Sequence, residues 1–293
     1  MKFAFLILNY NTSSQTEKCI DSIVERNSKI EFKIGLLDNG SKDSSCAELV
    51  ESKYKNLVRG GRLLFVESKK NLGFAGGNNF MFDKILNSGF NADFYVFLNN
   101  DVYLVSNDFC QQIQDEYSRS KFSVLGPRII LGNNCIDSCP FSLPSMQELK
   151  KQIFYWKAAR LFSVLRLIKM FLFVNKVYTF LRKIRGKKSS FVCKSECKEN
   201  VLLHGACLVF SNEYFRFYEE PFDTRTFLYK EEELLYMRLL KRKLISVFEP
   251  NLIVFHEGGS STVKNRDLNG LFRFRAEHYL KSLGILKSEL ESM

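Results

Sequence analysis

Residues 93–102 read DFYVFLNNDV, an apolar run that stops abruptly in Asn99, Asn100 and Asp101. Val96, Phe97 and Leu98 suit a strand covered on both faces. In an open α/β sheet, ligands bind just beyond the carboxyl ends of such strands. A carboxylate at that position, beside two small amides, can hold a hard divalent cation together with phosphate oxygens. Taken alone, the same residues also make an ordinary Asn/Asp turn.

Three further segments repeat the pattern. Residues 3–8 are apolar and end in Asn9, Tyr10 and Asn11; residues 32–38 (FKIGLLD) end in Asp38 and run on into NGSKD; residues 62–66 lead to NLGFAGGNN at 71–79. Between these strands the spacing predicts helices near 16–26, 44–53, 77–87 and 107–118, the first capped by Ser13 or Ser14. Strands and helices alternating at this length indicate right-handed βαβ units and a largely parallel sheet. In the second half, strands are expected near 201–210, 244–248 and 252–256, with helices near 231–243 and 275–283. Four strand ends rich in Asn, Asp and Gly at one rim are what a nucleotide pocket needs.

These pieces, LNYN at 8–11, LLDNGSKD at 36–43, NLGFAGGNN at 71–79 and LNNDV at 98–102, resemble the family 2 glycosyltransferases of the GT-A fold. HGACLVFS at 204–211, FLYKEEELLYMRL at 227–239 and VFHEGGSS at 254–261 continue the resemblance, which is strongest to the branch adding rhamnose and related sugars to bacterial surface polysaccharides. It implies an α/β GT-A fold, a Rossmann-like nucleotide-binding half (1–140) and an acceptor-side half (196–293) sharing a mixed sheet. Residues 141–195, outside the resemblance, are expected to be an inserted basic amphipathic helical segment.

The resemblance also implies roles. Asn9, Tyr10 and Asn11 would lie beside the base of a UDP- or dTDP-sugar, with Asp38 hydrogen-bonded to it. Asn71, Gly73, Gly77 and Asn78 would line the ribose and diphosphate, glycine allowing close backbone approach. Asn99, Asn100 and Asp101 occupy the Asp-x-Asp region, with Asn in place of the first Asp. Asp101 is then its only carboxylate for Mg²⁺ or Mn²⁺, with His256 as a second metal contact. His204, ahead of Gly205 and Ala206, would shape the acceptor pocket. The general base would come from an acidic pair, Glu231 and Glu232, with Glu232 at the base position usually held by Asp; the longer arm leaves Glu231 and Glu233 as alternatives. The processive Gln-x-x-Arg-Trp motif is missing, which favours addition of one sugar per encounter, and the resemblance implies a glycan acceptor carried on a polyprenyl lipid.

Composition fits one large domain, or one domain with an appended element: 293 residues, 45% hydrophobic, can bury a sizeable core. Residues 1–8 are too short an apolar run, interrupted by Asn9, to read as a leader, and are taken as the first strand. The net charge of +11 is not spread evenly. Residues 145–188 hold twelve basic residues and one acid, Glu148, so this segment carries the whole excess. Phe154, Ala158, Leu161, Leu165, Ile168 and Leu172 recur at three- and four-residue steps without Gly or Pro, predicting one helix through residue 185. A basic amphipathic helix suits an anionic membrane surface at the inner face of the cell membrane. Nothing resembles a nucleic-acid-binding module, so no nucleic-acid partner is expected. The equal spacing of Cys135/Cys139 and Cys193/Cys197 would allow a zinc or disulfide clip, although ordinary reduced thiols are the default. A dehydrogenase or a nucleotidyltransferase would need glycines after the first strand, which residues 9–14 lack. A non-enzymatic membrane-associated nucleotide-binding protein leaves the loop residues unexplained.

Overall fold

The computed structural model describes residues 1–27, 30–132, 141–184, 196–258 and 267–292. The first half contains β1 (Phe3–Asn9), α1 (Ser13–Arg26), β2 (Phe32–Asp38), α2 (Ser45–Lys53), α3 (Lys55–Arg59), β3 (Leu63–Glu67), α4 (Gly73–Asn87), β4 (Phe94–Asn99) and β5 (Val102–Leu104). Then come α5 (Phe109–Ser120), β6 (Val124–Leu131), α6 (Met146–Val164), α7 (Ile168–Ile184), β7 (Lys198–Glu199) and β8 (Cys207–Ser211). The chain closes with α8 (Asn212–Phe215), α9 (Glu231–Arg242), β9 (Ser246–His256) and α10 (Leu268–Glu291).

One sheet runs β3-β2-β1-β4-β8-β6-β9-β5, with β7 added to β9. The first four strands are parallel, so their carboxyl ends meet at one rim: Asn9 lies opposite Asp38, and Leu8 opposite Asn99. β8 is antiparallel to β4, and β6 and β9 are parallel to each other, which makes the sheet mixed. Along β1, Phe3, Phe5 and Ile7 enter one core layer with α1 and α5, and Ala4 and Leu6 enter the other with α4. Both faces are covered, which is why these strands read as unbroken apolar runs.

β4 and β5 are joined only by Asn100 and Asp101, yet stand four strand positions apart in the sheet. On a flat sheet they would be separated by about 19 Å. The three Cα steps from Asn99 to Val102 reach at most about 11 Å. The sheet must therefore curl on itself, and the Asn100–Asp101 turn closes the curl.

Several elements differ from the sequence reading. The two strands expected at 244–256 are one strand, β9, with a register shift opposite Pro127 and Arg128. The strand expected at 201–210 begins only at Cys207, with Leu202 making a single bridge to Phe141. The closing helix is longer than its expected core, and α1 is preceded by Thr12, which makes no side-chain cap bond. The single basic helix is two helices. Arg166 takes a left-handed φ of 58°, and Leu167 N–H turns back to Phe162 C=O at 2.8 Å, ending α6 without Gly or Pro. Glu148, the lone acid, closes a capping box with Ser145 at the start of α6. From α6, Leu149, Ile153 and Trp156 pack with Tyr279, Leu283 and Leu286 of α10. Among the described residues no helix is long and apolar enough to cross a membrane.

Candidate active site

The rim where the parallel strands end is held by a chain of hydrogen bonds linking three strand ends. Asn9 Nδ2 donates to Ser41 Oγ at 3.1 Å, and Asn9 Oδ1 accepts from Thr16 Oγ1 at 2.9 Å. Asn11, at a left-handed φ of 57°, donates its N–H to Ser41 Oγ and accepts Lys42 N–H on its side chain, each at 2.9 Å. Ser41 N–H donates to Asp38 Oδ1 at 3.1 Å. Asn100 Nδ2 reaches Thr12 Oγ1 at 2.7 Å and Thr16 Oγ1 at 2.9 Å. Asn9, Asn11, Asp38 and Asn100 are thus brought together, half-buried Tyr10 following β1 beside them. The buried amides of Asn9 and Asn100 engage protein partners and set the loop shapes.

In the glycine-rich loop, two glycines are packed closely within the protein. Gly73 has φ +76°, and a Cβ there would lie 2.3 Å from the carbonyl oxygen of Phe227. Phe74 N–H donates to that same carbonyl at 2.9 Å. At Gly77 a Cβ would meet Leu8 at 3.0 Å and Asn39 at 3.1 Å. These glycines are required by packing inside the protein. Asn71 Oδ1 accepts Gly73 N–H at 2.8 Å, and buried Asn78 donates back to Phe74 C=O at 3.0 Å on its own helix. Asn39, which the sequence reading passed over, accepts Leu72 N–H at 2.9 Å and donates to Gly73 C=O at 3.0 Å. It ties the β2 loop to the glycine loop.

Asp101 sits in the turn that closes the sheet. Because β5 pairs with β9 so that Val102 faces His256, the histidine is delivered to the neighbouring carboxylate. His256 Nε2 lies 3.2 Å from Asp101 Oδ1, both side chains being largely buried. Two adjacent ligands of an octahedral ion with bonds of about 2.1 Å stand about 3.0 Å apart. The pair therefore fits two positions on a small divalent cation.

Next to this rim is a cavity of about 470 Å³, lined by Phe74 and Asn99 and by Glu231, Glu232 and Glu233. His204, Gln152 and Tyr229 also line it. Tyr229 and Lys230, both at φ 72°, lead into α9, two consecutive strained residues just before the acidic triplet. Strain of this kind persists only where surrounding contacts hold it. Here Tyr229 stacks on Tyr279 at 3.8 Å, and Lys230 pairs with Glu233 at 2.6 Å.

The ion pair gives Glu233 a structural partner. Glu231 is buried, its Oε1 has no hydrogen-bond partner, and burial with the nearby charge of Glu232 pushes its carboxyl up to about 8. Burial, then Glu233, also raises Glu232 above the ordinary carboxylate range, while the proximity of His204 works the other way. The side chain of Glu232 lies over Gly205, where a Cβ would come within 2.5 Å of its Oε1. Gly205 and Glu232 are distant in sequence, and no local signal links them.

Cys135, Cys139 and Cys193 lie outside the described residues. Cys197 lies away from the cavity near Glu116 and Glu249, and accepts from Arg119 Nη2 at 2.9 Å. Cys19, Cys46, Cys110 and Cys207 are buried free thiols.

The mixed sheet, curled on itself, is that of a GT-A domain. Residues 5–175 match the model of Glycosyl transferase family 2, and the chain belongs to that family. It is similar in structure to S. aureus TarS, at 12% identity and a TM-score of 0.50, over 88% of this chain and 37% of that one. The TarS 1–349 structure matches at 11% identity and 0.51, covering 97% of this chain and 71% of that one. A structure of GalNAc-T7 with UDP, GalNAc and Mn²⁺ matches at 13% identity and 0.55, covering the whole of this chain and 57% of that one. The chain thus spans about a third of the longer TarS chain and over half of GalNAc-T7. No curated protein matches it in sequence.

Proposed function

We propose that the protein is an inverting, non-processive glycosyltransferase. It moves one sugar from a UDP- or dTDP-sugar to a hydroxyl of a glycan carried on a polyprenyl lipid. The setting is bacterial surface polysaccharide synthesis, as in the rhamnosyltransferase-like branch, at the inner face of the cell membrane. The observation that carries this reading is the cavity between Asn99 and Glu232, one end beside the nucleotide rim and the other walled by a carboxylate held over Gly205.

In the reaction an acceptor oxygen attacks the anomeric carbon, a new C–O bond forms as the bond to diphosphate breaks, and the hydroxyl proton passes to Glu232. Its raised affinity for protons suits that task. Asp38 would read the ring N–H that uracil and thymine share. Asp101 and His256 would hold Mg²⁺ or Mn²⁺, which when bound would offset charge on the departing diphosphate. UDP and Mn²⁺ in the GalNAc-T7 structure support a nucleotide donor and a divalent metal. Single addition is supported by Trp156, the only tryptophan, being packed in α6 instead of belonging to a processivity motif.

A panel of UDP- and dTDP-sugars, scored for protection against melting and for nucleotide diphosphate release, tests the reading. At least one should protect and turn over with Mg²⁺ or Mn²⁺. Protection without any turnover, even with glycan acceptors, would favour a binding protein. Pyrophosphate release from a nucleoside triphosphate would favour a nucleotidyltransferase.

A further inference from the structure

Among the described residues, α6 and α7 carry apolar side chains both on an inward face packed against the domain and on an outward face left exposed. Inward, Ala159, Ile168 and Phe171 are buried together with Trp156, Phe162 and Phe272. Outward, α6 exposes Phe154 and Leu161, its C-cap Leu165 is exposed as well, and α7 exposes Met170, Phe173 and Val174. Phe154 is 75% exposed and Phe173 67%. Positions 154, 161 and 165 are seven and four residues apart, so they form one stripe along the helix.

The lysines flank the stripe. Lys150, Lys151 and Lys157 stand four before, three before and three after Phe154, and Lys169 and Lys176 are exposed on α7. Long side chains at such edges lie along apolar surface and carry their charge to a polar layer. The only acid of the segment, Glu148, is engaged in the α6 capping box. A second copy docking on this face would bring two strongly positive surfaces together, and the rest of the chain is electrically neutral. Anionic lipid headgroups complement the charge, and the acyl boundary beneath them accepts the stripe.

We propose that the outward faces of α6 and α7 lie in the interface of an anionic bilayer, with the two apolar stripes entering the acyl boundary and the lysines in the headgroup layer. The same helix walls the cavity: Gln152 lines it, and Trp156 stacks on Tyr279 at 4.2 Å, which stacks on Tyr229 at its lip. Attachment therefore holds the cavity beside the membrane, where a lipid-carried acceptor would be presented; that last consequence rests on the glycosyl-transfer reading, and the attachment does not.

The test is flotation of the whole chain with vesicles of phosphatidylcholine alone or mixed with phosphatidylglycerol. Wild type should float with the mixed vesicles at low salt and be released by high salt. Combined Phe154→Ser, Leu161→Ser and Leu165→Ser should weaken binding about tenfold or more with charge unchanged. Lys150→Gln with Lys151→Gln and Lys157→Gln should do the same with the stripe intact. Both variants should keep wild-type circular dichroism and lipid-free donor hydrolysis, which separates loss of attachment from loss of function. Wild type that never floats, or a serine variant that floats equally, would overturn the proposal. So would a wild-type dimer in solution that the serine substitutions dissolve, since the face would then belong to a second copy.

Discussion

Glu232 is folded over Gly205 so closely that a methyl group on the glycine would stand 2.5 Å from Glu232 Oε1. The atom in the way is the far end of a flexible side chain, so the carboxylate would move and the backbone would not. Gly205→Ala should therefore keep the melting temperature within a few degrees of wild type while lowering kcat about tenfold to a hundredfold, because the base is displaced by about an ångström. Parallel melting curves and steady-state kinetics check this. A variant with wild-type kcat would show that the position of Glu232 over Gly205 is irrelevant to turnover.

The pH dependence of stability should report Glu231. Its folded-state carboxyl titrates at about 8, against an ordinary value of 4.5. Between those values the folded chain holds the proton more tightly than the unfolded chain, so this residue's contribution to stability falls as pH rises. Glu231→Gln removes the effect. The variant should melt close to wild type near about pH 5 and several degrees higher near about pH 9. A difference that is constant across pH would assign the titration elsewhere.

Burial also raises Glu232, and a base must be deprotonated to act. The acidic limb of kcat should therefore fall above the ordinary carboxylate range, and Glu232→Gln should remove that limb along with most of the activity. A profile that stays flat down to about pH 4 in wild type would rule out a carboxylate base with raised affinity for protons.

Asp101 and His256 make a prediction with a readout besides activity. In metal-stripped protein, Mn²⁺ should raise the melting temperature, and either Asp101→Asn or His256→Ala should shift that response to higher concentration by about tenfold. Asp101→Asn should also abolish turnover with the fold intact. Full activity of Asp101→Asn in the presence of a chelator would remove the metal from the account.

The strand ends at the rim were legible because their signal is local. A buried strand that breaks into Asn, Asp or Gly is visible within ten residues, and β1, β2 and β4 end where the pattern predicts. Relationships across the fold leave no mark in local pattern, and the pairing of Asp101 with His256 came from the family resemblance alone. His256 reaches Asp101 only because the sheet curls until β5 meets β9. The true neighbour of Gly73 is the Phe227 carbonyl, and a glycine in sequence carries no mark of what approaches it. The break between α6 and α7 was hidden for a related reason: Arg166 takes the left-handed conformation usually left to Gly or Asn. Apolar periodicity in α6 was visible, but periodicity cannot tell a face packed on α10 from one left outside.

The central claim is that Glu232, and not its neighbour Glu231, takes the acceptor's proton. The direct measurement is kcat and donor affinity for Glu232→Gln and Glu231→Gln with the sugar nucleotide that turns over. Glu232→Gln should lower kcat by about two orders of magnitude or more with donor affinity unchanged, while Glu231→Gln keeps most of its activity. Loss of turnover in Glu231→Gln with activity retained in Glu232→Gln would contradict the assignment and move the base one residue toward the start of α9.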